Sequence, residues 1–367
     1  RNQNYFTLQK NHKPLWIRRL MKWYDAEKRV MPWRGSRDPY VIWLSEVLLQ
    51  QTRVEQGTPY FLRFLKAYPT VDALASAHLD DVLRLWQGLG YYRRAHLMHQ
   101  TAIIIAQIGQ WPQDVEALRR LPGIGAYTSA AIASIAFERP VPVIDGNVIR
   151  VLSRAFGAAV PYDRPEGMRW IQDAATHLLS TSRPGDYNQA MMDMGAVLCK
   201  PQNPVCNACF WSDHCIAKLE GRIADLPAKS RRTMVVKESM HYFVILSKGH
   251  VALIKRPDEG IWAGLYEFYR VEGLQQKPPQ DHNLFSTGQT VQVIKHALSH
   301  RALTIHLAVT ITQSRPKIPH AVWVKLDQLN EFPMPRPLEL YARELTLEYG
   351  RTQQSHAHRQ PRKGPRS

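Results

Sequence analysis

All four cysteines of the chain fall within 17 residues, as Cys199-x6-Cys206-x2-Cys209-x5-Cys215, leaving none to form a bridge elsewhere. A run of this kind ties its stretch of chain to one centre. Four thiolates so spaced converge on a structural zinc or on an iron–sulfur cluster, both of which accept ligation by cysteine alone. Zinc ribbons usually join two tight Cys-x2-Cys pairs from separate turns. Here one tight pair, Cys206 and Cys209, stands between lone cysteines in unequal wide loops, which favours a 4Fe-4S cluster and leaves zinc as the alternative. Disulfides are the least favoured reading. No secretory apolar segment precedes Leu15, so an intracellular protein is expected, in the cytoplasm or nucleoid if the source is bacterial.

Charge points to the partner. Against 31 Asp and Glu stand 48 Lys and Arg, a formal net charge of +17 over 367 residues. An anionic membrane would attract such a chain, but no run of about 18 apolar residues and no lipidation motif occurs. Nucleic acid, bound through phosphate neutralisation with counterion release, is the favoured partner. A chain of this length implies two or three domains.

From Leu15 to about Ala217 apolar residues recur at helical spacing, as in Val71–Gln87, Ala95–Ile108, Ala126–Phe137 and Trp170–Leu179, between Pro and Gly breaks. This predicts an all-α domain over residues 1–220. Residues 221–237, including Leu226-Pro227-Ala228-Lys229-Ser230-Arg231-Arg232, are basic and aperiodic, the pattern of an exposed linker. Over 238–350 the short runs His241–Leu246, Val251–Lys255, Leu265–Val271, Val291–His296 and Leu303–Thr312 predict an α+β domain built on a sheet. Residues 351–367 carry basic residues without an acid or an apolar period and read as a disordered tail.

Within the helical part, Leu121-Pro122-Gly123-Ile124-Gly125 lies between two expected helices, a turn able to hold a phosphate or simply to connect them. About twenty residues on, Asp145 sits in the apolar run Val143-Ile144-Asp145-Gly146-Asn147-Val148. An N-cap would explain the residue type but not its pairing with the glycine turn and the cysteine run.

These three elements, in this order, resemble the helix-hairpin-helix DNA glycosylase superfamily that includes endonuclease III, over roughly residues 14–217. The resemblance implies two helical lobes, a Gly123–Gly125 turn that clasps the DNA backbone, Asp145 as catalytic carboxylate, and a structural 4Fe-4S cluster. Lyase-competent members carry a lysine two residues past the hairpin; here stands Tyr127, and a phenol cannot form an imine, so base release without efficient strand cleavage is expected. In Trp43-Leu44-Ser45-Glu46-Val47-Leu48-Leu49-Gln50-Gln51-Thr52-Arg53-Val54, helical spacing puts Glu46 on a face with Trp43, Val47, Gln50 and Val54, neighbours that raise its pKa if the face is buried.

Glu46, Gln51, Thr52, Arg53 and Trp86-Gln87-Gly88-Leu89-Gly90-Tyr91-Tyr92 further resemble the MutY-type adenine DNA glycosylases, which remove adenine mispaired with 8-oxoguanine. Adenine leaves well only after a ring nitrogen is protonated, and the sugar left behind gains oxocarbenium character, so one carboxyl must carry a proton while another stays ionised. The resemblance assigns Glu46 as donor and Asp145 as anion, with Tyr127 steadying Asp145 by a hydrogen bond. It makes Leu89 and Tyr91 wedges that support a flipped base, brings Gln51 and Thr52 to the opposite strand, and lines an adenine pocket with Arg29, Met31, Trp33, Arg34 and Gln189. Tyr91 and Tyr92 read otherwise as core aromatics after a helix end, and Arg29 and Arg34 as solvated charges. Gln189 falls where some members have glutamate.

The second domain resembles the family's Nudix-like module for inspecting the base opposite adenine. The glutamate-rich metal motif of Nudix hydrolases is absent, since Tyr269–Thr290 offers only Glu272 and Asp281, so recognition rather than hydrolysis is expected. The lesion reader would be Ser299 and His300 in His296-Ala297-Leu298-Ser299-His300, with Leu298 where the family commonly has an aromatic; alternatively the pair closes a β-turn. The expected activity is monofunctional excision of adenine opposite 8-oxoguanine or guanine in double-stranded DNA, by a monomer with no membrane partner. Thymine–guanine mismatch glycosylase and non-catalytic lesion-binding protein are the alternatives.

Overall fold

The computed structural model describes residues 13–230, 236–257, 259–270, 291–298 and 301–357, the side chains of 291 and 349–357 excepted. The chain divides into two compact units. One holds the described residues up to Ser76 together with those from Leu97 to 230; the other holds Ala77–His96 and the described residues from 236 onward.

The first unit is helical: α1 (Lys13–Glu27), α2 (Pro39–Leu49), α3 (Val54–Ala67), α4 (Val71–Ala75), then, after α5 (Leu79–Trp86) of the second unit, most of α6 (Arg93–Ile108), followed by α7 (Val115–Arg119), α8 (Ala126–Phe137), α9 (Gly146–Phe156), α10 (Pro165–Leu178), α11 (Pro184–Val197) and α12 (Ile216–Leu219). Side-chain caps set several starts. Asp38 accepts from the Tyr40 N–H, Thr70 from Ala73, Asp114 from Ala117 and Asp145 from Val148, each satisfying a donor the first turn leaves unpaired. The run Val71–Gln87, expected as one helix, is broken: the Ser76 N–H folds back onto the Asp72 and Leu74 carbonyls, and His78 is extended before α5 begins.

The core of this unit joins α1, α9, α10 and α11 through Trp16, Leu20, Val151, Phe156, Ile171 and Met191. Trp211, set between Cys209 and Cys215, completes it. Its ring stacks on Trp16 at 4.6 Å and its indole N–H donates to the Trp16 carbonyl at 3.2 Å. The cysteine run is thereby fixed by its own tryptophan to the centre of the helical packing.

The residues expected to begin an exposed linker are instead packed on this unit. Leu226 is 2% exposed, Arg154 Nε donates to the carbonyls of Ile223 and Leu226, and Ser230 bonds Asp163. Basic composition concealed this, because the contacts run through backbone carbonyls, one leucine and one serine rather than through the basic side chains of the segment. Residues 231–235 lie outside the described ones.

The second unit carries a six-stranded mixed sheet, β1 (Val236–Ser247), β2 (His250–Lys255), β3 (Tyr266–Arg270), β4 (Val291–Ala297), β5 (Arg301–Thr312) and β6 (Ala321–Lys325), in the order β4-β5-β1-β3-β2-β6. β1 and β5 run parallel from Val236↔Arg301 to Ser247↔Thr312, and the other ladders are antiparallel. β6 was not legible in the sequence. The closing helix α13 (Arg336–Ala357) covers Phe268 with Tyr341. It runs through Arg351–Ala357, where a disordered tail was expected; residues 358–367 lie outside the described ones.

Ala77–His96, expected within the helical domain, packs in this second unit. Lys255 Nζ meets Asp80 at 3.0 Å, Arg84 Nε donates to the Glu331 carbonyl at 3.1 Å, and the buried Tyr92 hydroxyl donates to the Met334 carbonyl at 3.2 Å. Among the described residues no helix is long and apolar enough to cross a membrane.

Candidate active site

In the helical unit a cleft of about 970 Å3 gathers most of the residues singled out above: Arg29, Met31, Trp33, Arg34, Glu46, Gln51, Thr52, Gly123, Gly125, Tyr127, Asp145 and Gln189. They come from five separate parts of the chain, so their meeting is a product of the fold.

Glu46 is delivered by α2, which buries Ile42, Trp43, Ser45 and Val47 and leaves Glu46 reaching into the cleft. The helix ends at Leu49, and Val54 belongs to α3, so the expected four-residue face stops short: Gln51 takes left-handed backbone (φ 56°) and turns the chain along the cleft rim. Burial pushes the Glu46 carboxyl up to about 7, against an opposing hydrogen bond from Tyr127; the nearby Asp145 charge raises it further and Arg34 lowers it.

The Tyr127 hydroxyl donates to Glu46 Oε2 at 2.6 Å and also lies 3.4 Å from Met192 Sδ. The expected bond from Tyr127 to Asp145 is therefore not made. Asp145 finds other donors, the Val148 N–H at 2.7 Å and Asn147 Nδ2 at 2.8 Å. Burial raises its pKa too, but these hydrogen bonds and the Arg150 charge all favour the anion. N-cap and cleft carboxylate thus prove to be one and the same residue. Behind it, Arg150 Nη2 donates to Asn147 Oδ1 at 2.8 Å, and Arg150 Nε to the Cys199 carbonyl at 2.7 Å, a hydrogen-bonded chain from the cleft to the cysteine run.

Arg29 and Arg34 are not solvated charges. Both engage Asp193, which is fully buried: Arg29 Nη2 at 2.6 Å, and Arg34 Nη2 at 2.9 and 3.0 Å to its two oxygens. Arg34 Nη1 also donates to Gln189 Oε1 at 2.7 Å and to the Tyr24 hydroxyl at 3.1 Å, fixing the amide of Gln189 at the cleft wall. Trp33 packs edge-on to Phe61 at 5.0 Å.

The hairpin glycines differ in cause. Gly123 has φ 73°, and a Cβ there would lie 2.9 Å from Leu97 Cβ, so the protein itself demands glycine. A Cβ on Gly125, which starts α8, would meet nothing within 4 Å. Packing gives no reason for that second glycine.

All four cysteines line one apolar cavity of about 30 Å3, beside Trp211 and Met194. Arg154 Nη1 approaches Cys199 Sγ at 3.6 Å. Among the described residues, no three His, Cys, Asp or Glu side chains close on one point as a single metal ion requires.

Two expectations fall elsewhere. Leu89 and Tyr91 lie in the second unit; Tyr91 is 41% exposed, but Leu89 is 7% exposed and packed within protein, so only Tyr91 is presented as a wedge. Ser299 and His300 lie outside the described residues. Sequence reasoning missed Asp193, Asn147, Arg150 and Met192. Asp193 carried a usable signal, a lone acid in Ala190-Met191-Met192-Asp193-Met194, the otherwise apolar stretch of α11.

The chain is similar to known proteins over most of its length. Residues 44–166 match the HhH-GPD superfamily of base excision DNA repair proteins, and residues 241–344 match the NUDIX domain. The adenine DNA glycosylase of Buchnera aphidicola subsp. Baizongia pistaciae is 32% identical over 78% of this chain and 83% of its own length. That of Rattus norvegicus is 43% identical over 57% of this chain and 43% of its own. Among solved structures, a thermostable thymine-DNA glycosylase matches 58% of this chain and 99% of its own, with a TM-score of 0.54 and 26% identity.

Proposed function

Because the chain belongs to the adenine DNA glycosylases and is thus a DNA glycosylase of base excision repair, we propose that it excises adenine opposite 8-oxoguanine or guanine without cutting the strand. The observation that carries this is the unequal pair of cleft carboxyls: burial raises both and pushes Glu46 up to about 7, but two hydrogen bonds and the Arg150 charge favour the anion of Asp145.

An extruded adenine enters the cleft against Trp33 and the Gln189 amide. Glu46, substantially protonated near neutrality, gives its proton to a ring nitrogen, and the base leaves neutral as the glycosidic bond breaks. Asp145 faces the oxocarbenium character that develops at the sugar. Water adds at C1′ and gives up a proton to the Glu46 carboxylate, which completes the hydrolysis and restores the acid. Tyr127, hydrogen-bonded to Glu46, holds the acid in place and supplies no amine, so no imine forms. Thymine would not use the proton of Glu46 in this way, which favours adenine over the mismatch-thymine reading.

Gly123 and Gly125 give the DNA backbone access to the start of α8, Gln51 and Thr52 reach the strand opposite, and Tyr91 supports the emptied stack. Ser299 and His300 inspect the base opposite adenine. Cys199, Cys206, Cys209 and Cys215 would hold a 4Fe-4S cluster. All four thiols line one apolar cavity, and their spacing, one tight pair between lone cysteines in unequal loops, suits a 4Fe-4S cluster better than one zinc. The cluster would secure the loop that Trp211 already packs. The protein acts as a monomer inside the cell.

Duplexes carrying adenine or thymine opposite 8-oxoguanine or guanine test the reading directly. Adenine should be released from both, leaving an abasic strand that breaks only in alkali and little borohydride-trapped protein. Thymine release, or strand breakage concurrent with base loss, would overturn it.

A further inference from the structure

The turn that presents Tyr91 is held from within the second unit. Three of its residues have left-handed backbone, Gly88 (φ 98°), Gly90 (φ 72°) and Tyr91 (φ 50°). For tyrosine that conformation is strained and persists only where surroundings enforce it. Trp86 Nε1 and Arg94 Nη2 donate to the Gly90 carbonyl at 2.9 and 3.2 Å, and the Arg94 guanidinium lies 4.8 Å over the Trp86 ring and 5.7 Å over Tyr91. Two anchors then lead to the sheet domain. The hydroxyl of Tyr92, 2% exposed, accepts from the Gly88 N–H at 3.3 Å and donates to the Met334 carbonyl at 3.2 Å. His96 Nε2 lies 3.2 Å from the Ala263 carbonyl, and the neighbouring Trp262 ring rests 6.2 Å from His296 of β4, the strand that leads toward residues 299–300.

We propose that Tyr92 is a positioning residue that makes the wedge turn part of the lesion-reading domain, so that the identity of the base opposite adenine governs how well the turn supports extrusion. The inference rests on the reading of Tyr91 as wedge and of the second domain as reader. One hydroxyl serves both ends of the link, since it bonds the first glycine of the turn and the backbone just before α13.

Tyr92→Phe keeps the ring and loses both hydrogen bonds. Single-turnover adenine release is measured on duplexes with adenine opposite 8-oxoguanine or guanine, with 2-aminopurine beside the target adenine reporting extrusion. On the 8-oxoguanine duplex, rate and extrusion signal should fall together by about fivefold, the loss of a typical buried hydrogen bond, while the guanine duplex changes by less than about twofold. Equal loss on both duplexes, or loss on neither, overturns the proposal. His96→Ala cuts the other anchor and should narrow the preference in the same direction, which keeps the test open if Tyr92→Phe folds poorly. Tyr91→Ala separates this from the underlying reading: if it leaves extrusion intact, the wedge assignment itself fails, whatever Tyr92→Phe does.

Discussion

Among the described residues, Glu46 and Glu267 each accept a tyrosine hydroxyl, and they lie in opposite electrostatic settings. In the helical unit Glu46 takes the Tyr127 hydroxyl at 2.6 Å; in the sheet unit Glu267 takes that of Tyr242 at 2.7 Å. Glu267 also receives Arg256 Nη1 at 2.5 Å, with both side chains 7% exposed, so its charge is neutralised where it is buried. Glu46 has no such guanidinium bonded to it among the described residues; Arg34, the cleft arginine whose charge acts on it, is committed to Asp193 and Gln189. One buried carboxylate braces a domain and the other stores a proton. The carboxyl and phenol are common to both, and the presence or withholding of an arginine makes the difference.

The same substitution should therefore act oppositely in the two places. The largest expected effect is on chemistry: Glu46→Gln should slow single-turnover adenine release by about 10²–10⁴-fold with DNA affinity retained, since the amide cannot give up a proton to the base. Asp145→Asn should cost about 10²–10³-fold with little loss of stability, because asparagine caps α9 as well as aspartate does. Glu267→Gln should leave the rate of folded enzyme unchanged. It should instead destabilise the protein by about 3–5 kcal/mol in denaturant titration, by stranding the Arg256 charge in the interior. A Glu267→Gln enzyme as stable as the parent would erase the contrast.

Smaller, and of opposite sign, is the effect of Glu46→Gln on stability. The folded-state pKa of Glu46 lies above the usual carboxylate value, so between about 4.5 and 7 the native state binds more protons than the unfolded one, and stability falls as pH rises through that window. Above it the full cost is present. Glu46→Gln should thus stabilise the protein at pH 8 by up to about 3 kcal/mol and have little effect near pH 4. A gain that does not depend on pH would remove the buried-acid explanation.

Much of the cleft was legible in the sequence because its parts carry local signatures: the two-glycine hairpin, an acid in an apolar stretch at Asp145, another on the apolar face of α2 at Glu46. What escaped was set by long-range partners. Nothing near Arg34 announces Asp193, 159 residues away, which turns an apparently solvated cation into a cleft wall. Tyr127 pairs with Glu46 rather than Asp145 because α2 and α8 pack together, an outcome that neither helix's own period reveals. The packing of Ala77–His96 with the sheet domain likewise depends on carbonyl acceptors at Glu331, Met334 and Ala263, which sequence patterns do not mark.

The most direct test of Glu46 as the stored proton is the pH dependence of single-turnover adenine release, compared with Tyr127→Phe. The Tyr127 hydrogen bond favours the ionised form of Glu46, and removing it should lift the folded pKa. For the parent enzyme the rate should hold just below about pH 7, where Asp145 is still ionised, and drop about tenfold per unit above it. In Tyr127→Phe the break should move to higher pH. A rate that stays level or rises from pH 6 to 9, or a break that Tyr127→Phe leaves in place, would contradict the assignment of Glu46 as proton donor.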